Sequence, residues 1–175
     1  MSRKSDNIIT ALDSTLNRLN RSLTIIETGT IRNIEEEYKE GDGHSTEAIC
    51  RWLEQGYDFH EFASIDTDTA TADFYLNKLG LLKYVDLLQG LSTDLLPTFK
   101  TIDFAYLDSE NDAKNTMDEF VIVWPAVPKG GCVMVDDCNE ESEELHKGDI
   151  LLPYLRDNNI PFEHLPTNQI VIVKC

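Results

Sequence analysis

The first twenty residues carry apolar side chains at helical spacing. Residues 6–20 have polar side chains on one side and, on the other, an apolar stripe formed by Ile8, Ile9, Leu12, Leu16 and Leu19. This pattern predicts an amphipathic helix that needs a partner surface. We expect it to form a segment of its own, residues 1–21, ahead of a single domain that spans residues 22–175. Its apolar side could also support a homodimer.

Beyond this helix, short apolar runs alternate with helical patterns. The runs are rich in β-branched residues and predict strands at 22–28, 62–66, 85–89, 102–107, 131–135 and 169–174. The helical patterns lie at 45–55, with Ser45 as the cap, and at 69–79, 112–124 and 149–158. In the helix at 112–124 the inward residues are predicted to be Met117, Phe120, Val121 and Trp124, with Pro125 closing it. This rhythm is typical of an α/β fold, a doubly wound, mostly parallel sheet with helices on both faces.

Charge and composition narrow the class of protein. The chain has 175 residues, 41% of them apolar, which is enough for one domain with a continuous core. Its 15 basic and 32 acidic residues give a net charge of -17, which opposes binding to nucleic acids or to anionic lipid. The four cysteines form no CxxC pair, and no apolar signal segment or membrane span is evident. We therefore expect a cytoplasmic protein that acts on a small molecule.

Acidic residues follow four of the predicted strands. Glu27, Asp66 and Asp108 each stand at a strand end, and Asp136 and Asp137 follow another strand. Any one of them could be an ordinary solvated residue in so acidic a chain. However, parallel strands place their carboxyl ends at one edge of the sheet, where ligands of such folds bind. The shared position predicts a functional edge.

Glycines between the first strand and the next helix suggest a ligand that approaches the backbone. Gly29 follows Glu27 and Thr28, and the segment 41–45 (GDGHS) precedes the helix. Asp66 lies 23 residues beyond Gly43, where an acid can accept hydrogen bonds from ribose hydroxyls. Together these features favour a nucleoside-containing cofactor. An NAD-dependent oxidoreductase is one alternative, but the chain has no GxGxxG.

Four segments resemble the class I S-adenosylmethionine-dependent methyltransferases, specifically the small-molecule O-methyltransferase branch with macrocin-type sugar methyltransferases. They are IIETGT, SIDTD, IDFAYLDSEND and VPKGGCVMVDDC. The resemblance implies a Rossmann-like sheet of about seven strands, the last one antiparallel, and S-adenosylmethionine as the cofactor. It implies cofactor-binding roles for Glu27, Gly29, Gly43, Ser45 and Asp66, with Ser92 as a candidate near the adenine.

The chain departs from this family in three places. Residues 30–40 form an acidic insertion in place of a compact GxGxG, and Gly90 is followed by Leu91 and Ser92 rather than by an acid. Asn111 stands where related sequences often have histidine. His44 is either a base or an exposed loop histidine. These departures leave open a non-catalytic cofactor-binding or scaffold protein on the same fold.

Asp108, Asp136 and Asp137 are candidates for binding Mg²⁺. Hard carboxylate oxygens converging at one edge suit an octahedral ion, which could hold a diol and stabilise the attacking oxygen. The alternative is that Asp136 and Asp137 cap the next segment or bind the substrate. The predicted reaction is methyl transfer to a small-molecule hydroxyl, with Asp108 and Asp136 as catalytic residues.

Overall fold

Strands and helices alternate along the part of the chain that the computed structural model describes, residues 4–34, 44–57, 59–138 and 146–175. Within these ranges the helices are α1 Lys4–Leu19, α2 Ser45–Glu54, α3 Ala70–Leu79, α4 Ser92–Leu95, α5 Ala113–Ala126 and α6 Gly148–Asp157. The strands are β1 Leu23–Thr28, β2 Phe59–Asp66, β3 Asp86–Gln89, β4 Phe104–Leu107, β5 Cys132–Val135, β6 Glu163–His164 and β7 Ile170–Val173.

The strands form one seven-stranded sheet in the order β3-β2-β1-β4-β5-β7-β6. β1 to β5 are mutually parallel, and β7 runs antiparallel to both β5 and β6. The predicted fold class is therefore confirmed, including the antiparallel last strand. β6 was missed, since two residues are too few to show a period.

Helices cover both faces of the sheet. On one face, Ile8 and Leu12 of α1 are fully buried and share a core with Leu23 and Phe104 of the sheet. On the other face, α5 and α6 pack over the alternate side chains of the same strands, such as Ile26 and Val133. The apolar side of α1 thus finds its partner surface within the chain. The homodimer stays a prediction.

The inward side of α5 differs from the prediction. Val121 is 50% exposed, whereas Thr116, Glu119, Phe120 and Val123 are buried. The apolar pattern was misleading because a threonine and a glutamate occupy core positions of this helix. Pro125 does not close α5 either, because the helix continues to Ala126.

Two further boundaries were predicted incorrectly. β2 begins at Phe59 rather than at residue 62, because its first residues are paired with β1 although only partly buried. Ser45 is the first residue of α2 rather than its cap, a position taken by His44 in a left-handed conformation. Among the described residues, no helix has the length and apolar character needed to cross a bilayer.

Candidate active site

Gly29 lies at the centre of the edge formed by the carboxyl ends of the strands. Its N–H donates to the Ile65 carbonyl at 2.8 Å, and its φ of +85° belongs to the left-handed region that favours glycine. A Cβ placed on Gly29 would come within 2.1 Å of the Asp108 carbonyl oxygen. Only glycine allows β1 to approach the end of β4 this closely.

A cavity of about 480 Å³ opens beside Gly29 on the β2 and β3 side, and we call it the Asp66 cavity. Its lining includes Asp66, Gly90, Ser92 and Asn115. Asp66 accepts hydrogen bonds from the backbone N–H groups of Thr30 at 3.0 Å and Asp68 at 3.2 Å. Burial alone would raise the pKa of Asp66, but these bonds and the Arg32 guanidinium outweigh it and lower the pKa. Asp66 therefore presents an ionised carboxylate to the cavity.

A second cavity of about 200 Å³ lies on the β4 and β5 side of Gly29, and we call it the Asp108 cavity. It contains Asp108, Asp136 and Asp137, whose carboxylate oxygens include a set lying within 4.8 Å of one another. The predicted convergence of these acids is thus present. Burial raises the pKa of Asp108 despite the opposing effect of the Lys147 ammonium.

Two lysines neutralise most of this carboxylate cluster. The Lys4 ammonium donates to Asp136 Oδ2 and to Asp137 Oδ1, at 2.9 Å in each case. The buried Lys147 ammonium donates to Asp108 Oδ1 at 2.5 Å. With Asp108 ionised, three carboxylates against two ammonium groups leave one excess negative charge. The cluster can therefore attract one further cation or a hydrogen-bond donor.

Arg32 stands between the two cavities and lines both of them. Its Nε lies 3.3 Å from Asp66 Oδ2, and its terminal NH₂ group donates to the Ser109 carbonyl oxygen. The side chain is 57% exposed, so it can move without disturbing the core. A ligand that extends from one cavity into the other would have to pass this residue.

Glu27 lies beneath the edge, fully buried, rather than among the residues that line either cavity. Its Oε2 accepts hydrogen bonds from Thr46 at 2.7 Å and from Ser64 at 2.6 Å. Its Oε1 is buried and has no hydrogen-bond partner among the described residues. Burial raises the pKa of Glu27 from 4.5 to about 7, although nearby hydroxyl groups oppose the shift. Glu27 thus retains a free acceptor atom.

This raised pKa predicts how stability depends on pH. Folded Glu27 holds its proton more tightly than unfolded Glu27. The contribution of Glu27 to the free energy of unfolding therefore falls as pH rises from 4.5 to about 7 and then stays constant. Glu27→Gln imitates the protonated acid, so it should gain stability relative to the ligand-free parent across this window, by roughly 3 kcal/mol at most. Urea unfolding at pH 5, 6, 7 and 8 measures the difference. Glu54→Gln, at an exposed position of α2, is the control for the loss of one carboxylate. A Glu27→Gln difference that does not change with pH would contradict the prediction.

Of the other predicted site residues, some line a cavity and one falls outside the part of the chain that the structure describes. Ser45 lines the Asp108 cavity, and Ser92 lines the Asp66 cavity, where its hydroxyl donates to Glu119. Gly43 lies outside the described residues. His44 is only 7% exposed and its Nε2 lies 2.9 Å from the Asn33 carbonyl oxygen, so the expectation of an exposed loop histidine was wrong. The roles of these residues stay predictions.

Sequence reasoning missed Lys4, Arg32, Lys147 and Glu119. Arg32 and Lys147 are single basic residues in acidic stretches, and no sequence pattern distinguishes them from ordinary solvent-exposed residues. Glu119 did have a signal, since it shares a helical stripe with Thr116, Phe120 and Val123. A charged residue at a core position of a helix requires an explanation.

A larger groove, of about 810 Å³, lies away from these acids. It is lined by Arg21, Thr24 and His60 near the starts of β1 and β2, together with Phe99 and Lys100 ahead of β4. Arg21 is paired there with the buried Asp103. Parallel sheets bind ligands at the opposite ends of their strands. The groove is therefore not the candidate site.

Comparisons with known proteins identify solved structures with the same fold. No curated protein sequence matches the chain. The solved structure of the O-methyltransferase NovP superimposes with a TM-score of 0.70 at 18% identity, over 98% of this chain and 79% of NovP. The TDP-rhamnose 3′-O-methyltransferase CalS11, an enzyme of calicheamicin biosynthesis, gives 0.67 at 15%, over 98% and 81%.

A third structure is the methyltransferase MycE in complex with Mg, SAH and mycinamycin VI, with a TM-score of 0.63 at 16% identity, over 94% of this chain and 48% of MycE. At these identities the three structures show a shared fold.

A family model also matches this chain. The family is described as a methyltransferase domain, and its model matches residues 40–138, more than half of the chain. The match confirms the resemblance seen in the sequence. By this match, the chain belongs to the methyltransferase-domain family.

Proposed function

We propose that this protein is an S-adenosylmethionine-dependent methyltransferase that acts on a hydroxyl group of a small molecule. The observation that carries the proposal is the meeting of two cavities at Gly29. One contains the ionised Asp66, and the other contains the carboxylate cluster of Asp108, Asp136 and Asp137. Such an arrangement suits a nucleoside at one side and an acceptor at the other, with the reacting atoms between them.

The residues present fit the cofactor. Asp66 would hold the ribose hydroxyls, and Gly29 would leave room for the chain that joins the nucleoside to the amino acid. The free Oε1 of Glu27 would act at the methionine end through Ser45, which lines the Asp108 cavity, because Glu27 itself lines neither cavity. Gly90 and Ser92 are near the proposed adenine position. Bound there, S-adenosylmethionine would supply a methyl group whose transfer to oxygen breaks the carbon–sulfur bond, leaves the electron pair on sulfur and releases the hydroxyl proton.

The Asp108 cavity supplies groups suited to the acceptor. Asp108 is the proposed base for the hydroxyl proton, and Asp136 would orient the acceptor by accepting hydrogen bonds. A positively charged or polyhydroxylated acceptor would suit this acidic rim, whereas a nucleic acid would be repelled by the net charge of -17. The cysteines Cys50, Cys132, Cys138 and Cys175 are all free thiols, which supports a cytoplasmic location.

The carboxylate cluster also fits Mg²⁺ in its donor chemistry. Asp108, Asp136 and Asp137 would hold the ion, which would supply positive charge beside the acceptor oxygen. Lys4 already donates to two of these three carboxylates. The ion and the Lys4 ammonium would therefore compete for the same oxygens.

This competition gives a prediction for Lys4→Met. Removal of one positive charge from the cluster should strengthen binding of Mn²⁺, used as a spectroscopic substitute for Mg²⁺, by about tenfold. Titration followed by electron paramagnetic resonance measures the free ion. Lys114→Met is the control, because Lys114 pairs with Asp118 on the surface of α5. Equal Mn²⁺ affinity in Lys4→Met and in the parent protein would contradict the prediction.

The experiment that tests the proposed function is calorimetric titration with S-adenosylhomocysteine, with NAD as the control ligand and with or without Mg²⁺. Micromolar binding of S-adenosylhomocysteine, without binding of NAD, is the expected result and would justify a screen of hydroxyl acceptors. Absence of binding would overturn the proposal. The remaining interpretation would then be a non-catalytic protein on the same fold, in which Lys4 and Lys147 merely neutralise the carboxylates.

A further inference from the structure

Glu119 is a buried carboxylate beneath the floor of the Asp66 cavity. It lies at a core position of α5 and is 1% exposed. Its Oε1 accepts hydrogen bonds from the Ser92 hydroxyl at 2.5 Å and the Asn115 side-chain amide at 3.4 Å. Its Oε2 accepts a bond from the Thr28 hydroxyl at 3.0 Å. The carboxylate thus joins three separate parts of the chain.

These three parts surround the proposed nucleoside position. Thr28 ends β1 immediately before Gly29, and Ser92 follows the loop after β3. Asn115 also donates to the Ser109 hydroxyl at 2.8 Å, which extends the network to the segment after β4. Ser92, Ser109 and Asn115 all line the Asp66 cavity, whereas Glu119 does not. Glu119 therefore contacts the residues of the cavity wall without reaching the cavity itself.

Packing of α5 does not require an acid at this position. The three donors are neutral hydroxyl and amide groups, so the carboxylate is removed from water without a cation in hydrogen-bond contact. Burial of an acid in such surroundings costs free energy, and it raises the pKa of Glu119. An apolar side chain would fill the same volume without this cost. The carboxylate does, however, provide acceptors for donors that come from three directions.

We propose that Glu119 is a positioning residue for the adenosyl part of the cofactor. By holding the side chains of Thr28, Ser92 and Asn115, it keeps the loop after β3 and the turn at Gly29 in the geometry that the nucleoside needs. This inference rests on the proposed function. It also assigns Ser92 a different role from direct adenine contact, because its hydroxyl donates to Glu119.

A double-mutant cycle tests the inference through S-adenosylhomocysteine affinity, measured by calorimetry. Ser92→Ala should weaken binding by about fivefold and Glu119→Leu by about tenfold, because the first removes the shortest bond of the network and the second removes all of its carboxylate acceptors. The double variant should bind no more weakly than Glu119→Leu, since Ser92 acts through that carboxylate. Asp118→Asn, the neighbouring acid with an exposed side chain, loses the same charge and should bind like the parent.

Each outcome is decisive. If Glu119 had a structural role alone, Glu119→Leu would change the free energy of unfolding but leave the affinity of the folded protein unchanged. Losses that multiply in the double variant would also overturn the inference. If Glu119→Leu does not fold, Ser92→Ala alone, at the partly exposed start of α4, still tests the inference, and unchanged affinity there would overturn it. Failure of the parent protein to bind S-adenosylhomocysteine would overturn the proposed function and this inference together, a result distinct from the others.

Discussion

Gly29→Ala is expected to abolish S-adenosylhomocysteine binding and to lower the free energy of unfolding by about 3–5 kcal/mol. The added Cβ would lie 2.1 Å from the Asp108 carbonyl oxygen and 2.8 Å from its carbon. Both are backbone atoms, so no side-chain rotation can relieve the contact, and β1 and β4 would have to separate. Because Gly29 lines both cavities, this separation would alter the whole proposed site.

Gly56→Ala is the matched control for this variant. Gly56 has a similar φ of +95°, but a Cβ there would meet no atom within 4 Å. It should therefore show only the conformational cost of a left-handed alanine, about 1 kcal/mol, and bind S-adenosylhomocysteine normally. Urea unfolding and calorimetry measure both properties. If Gly29→Ala matched Gly56→Ala in stability and in affinity, the close approach at Gly29 would have no functional importance.

Asp66→Ala should weaken S-adenosylhomocysteine binding by about a hundredfold, which corresponds to the loss of two hydrogen bonds between a carboxylate and the ribose hydroxyls. Asp66 is poised for these bonds because the Thr30 and Asp68 N–H groups orient it and keep it ionised. Adenosine should lose affinity by a similar factor, since it carries the same ribose.

The control for Asp66→Ala is Asp73→Ala, which removes an exposed acid of α3 close in the sequence. The lowered pKa of Asp66 also implies a loss of stability in Asp66→Ala at neutral pH. That loss should shrink in acid, because the carboxylate of the parent protein then becomes protonated. Unchanged ligand affinity in Asp66→Ala would exclude Asp66 from the ribose site and weaken the proposed cofactor assignment.

Much of the fold and part of the site followed from the sequence. Continuous apolar runs such as LTIIET and CVMV predicted buried parallel strands, because a strand covered on both faces has no polar alternation. Parallel strands end at one edge, and the convergence of Asp108, Asp136 and Asp137 was therefore predictable before their distances were known. The roles of Gly29 and Asp66 in lining cavities followed from the same rule.

Only the tertiary structure decided which charges meet at that edge. Lys4 reaches Asp136 and Asp137 from the opposite end of the chain, and Arg32 and Lys147 reach their carboxylates from irregular segments. A local pattern cannot predict such pairs, because it shows which side of an element is buried and not which distant residue lies against it. Glu119 combines both cases, since its core position was visible in the helical pattern while two of its three donors, Thr28 and Ser92, come from other parts of the chain. Apolar periodicity thus determined the sheet and the edge that holds the proposed site, whereas packing between elements distant in sequence decided the electrostatics of that site.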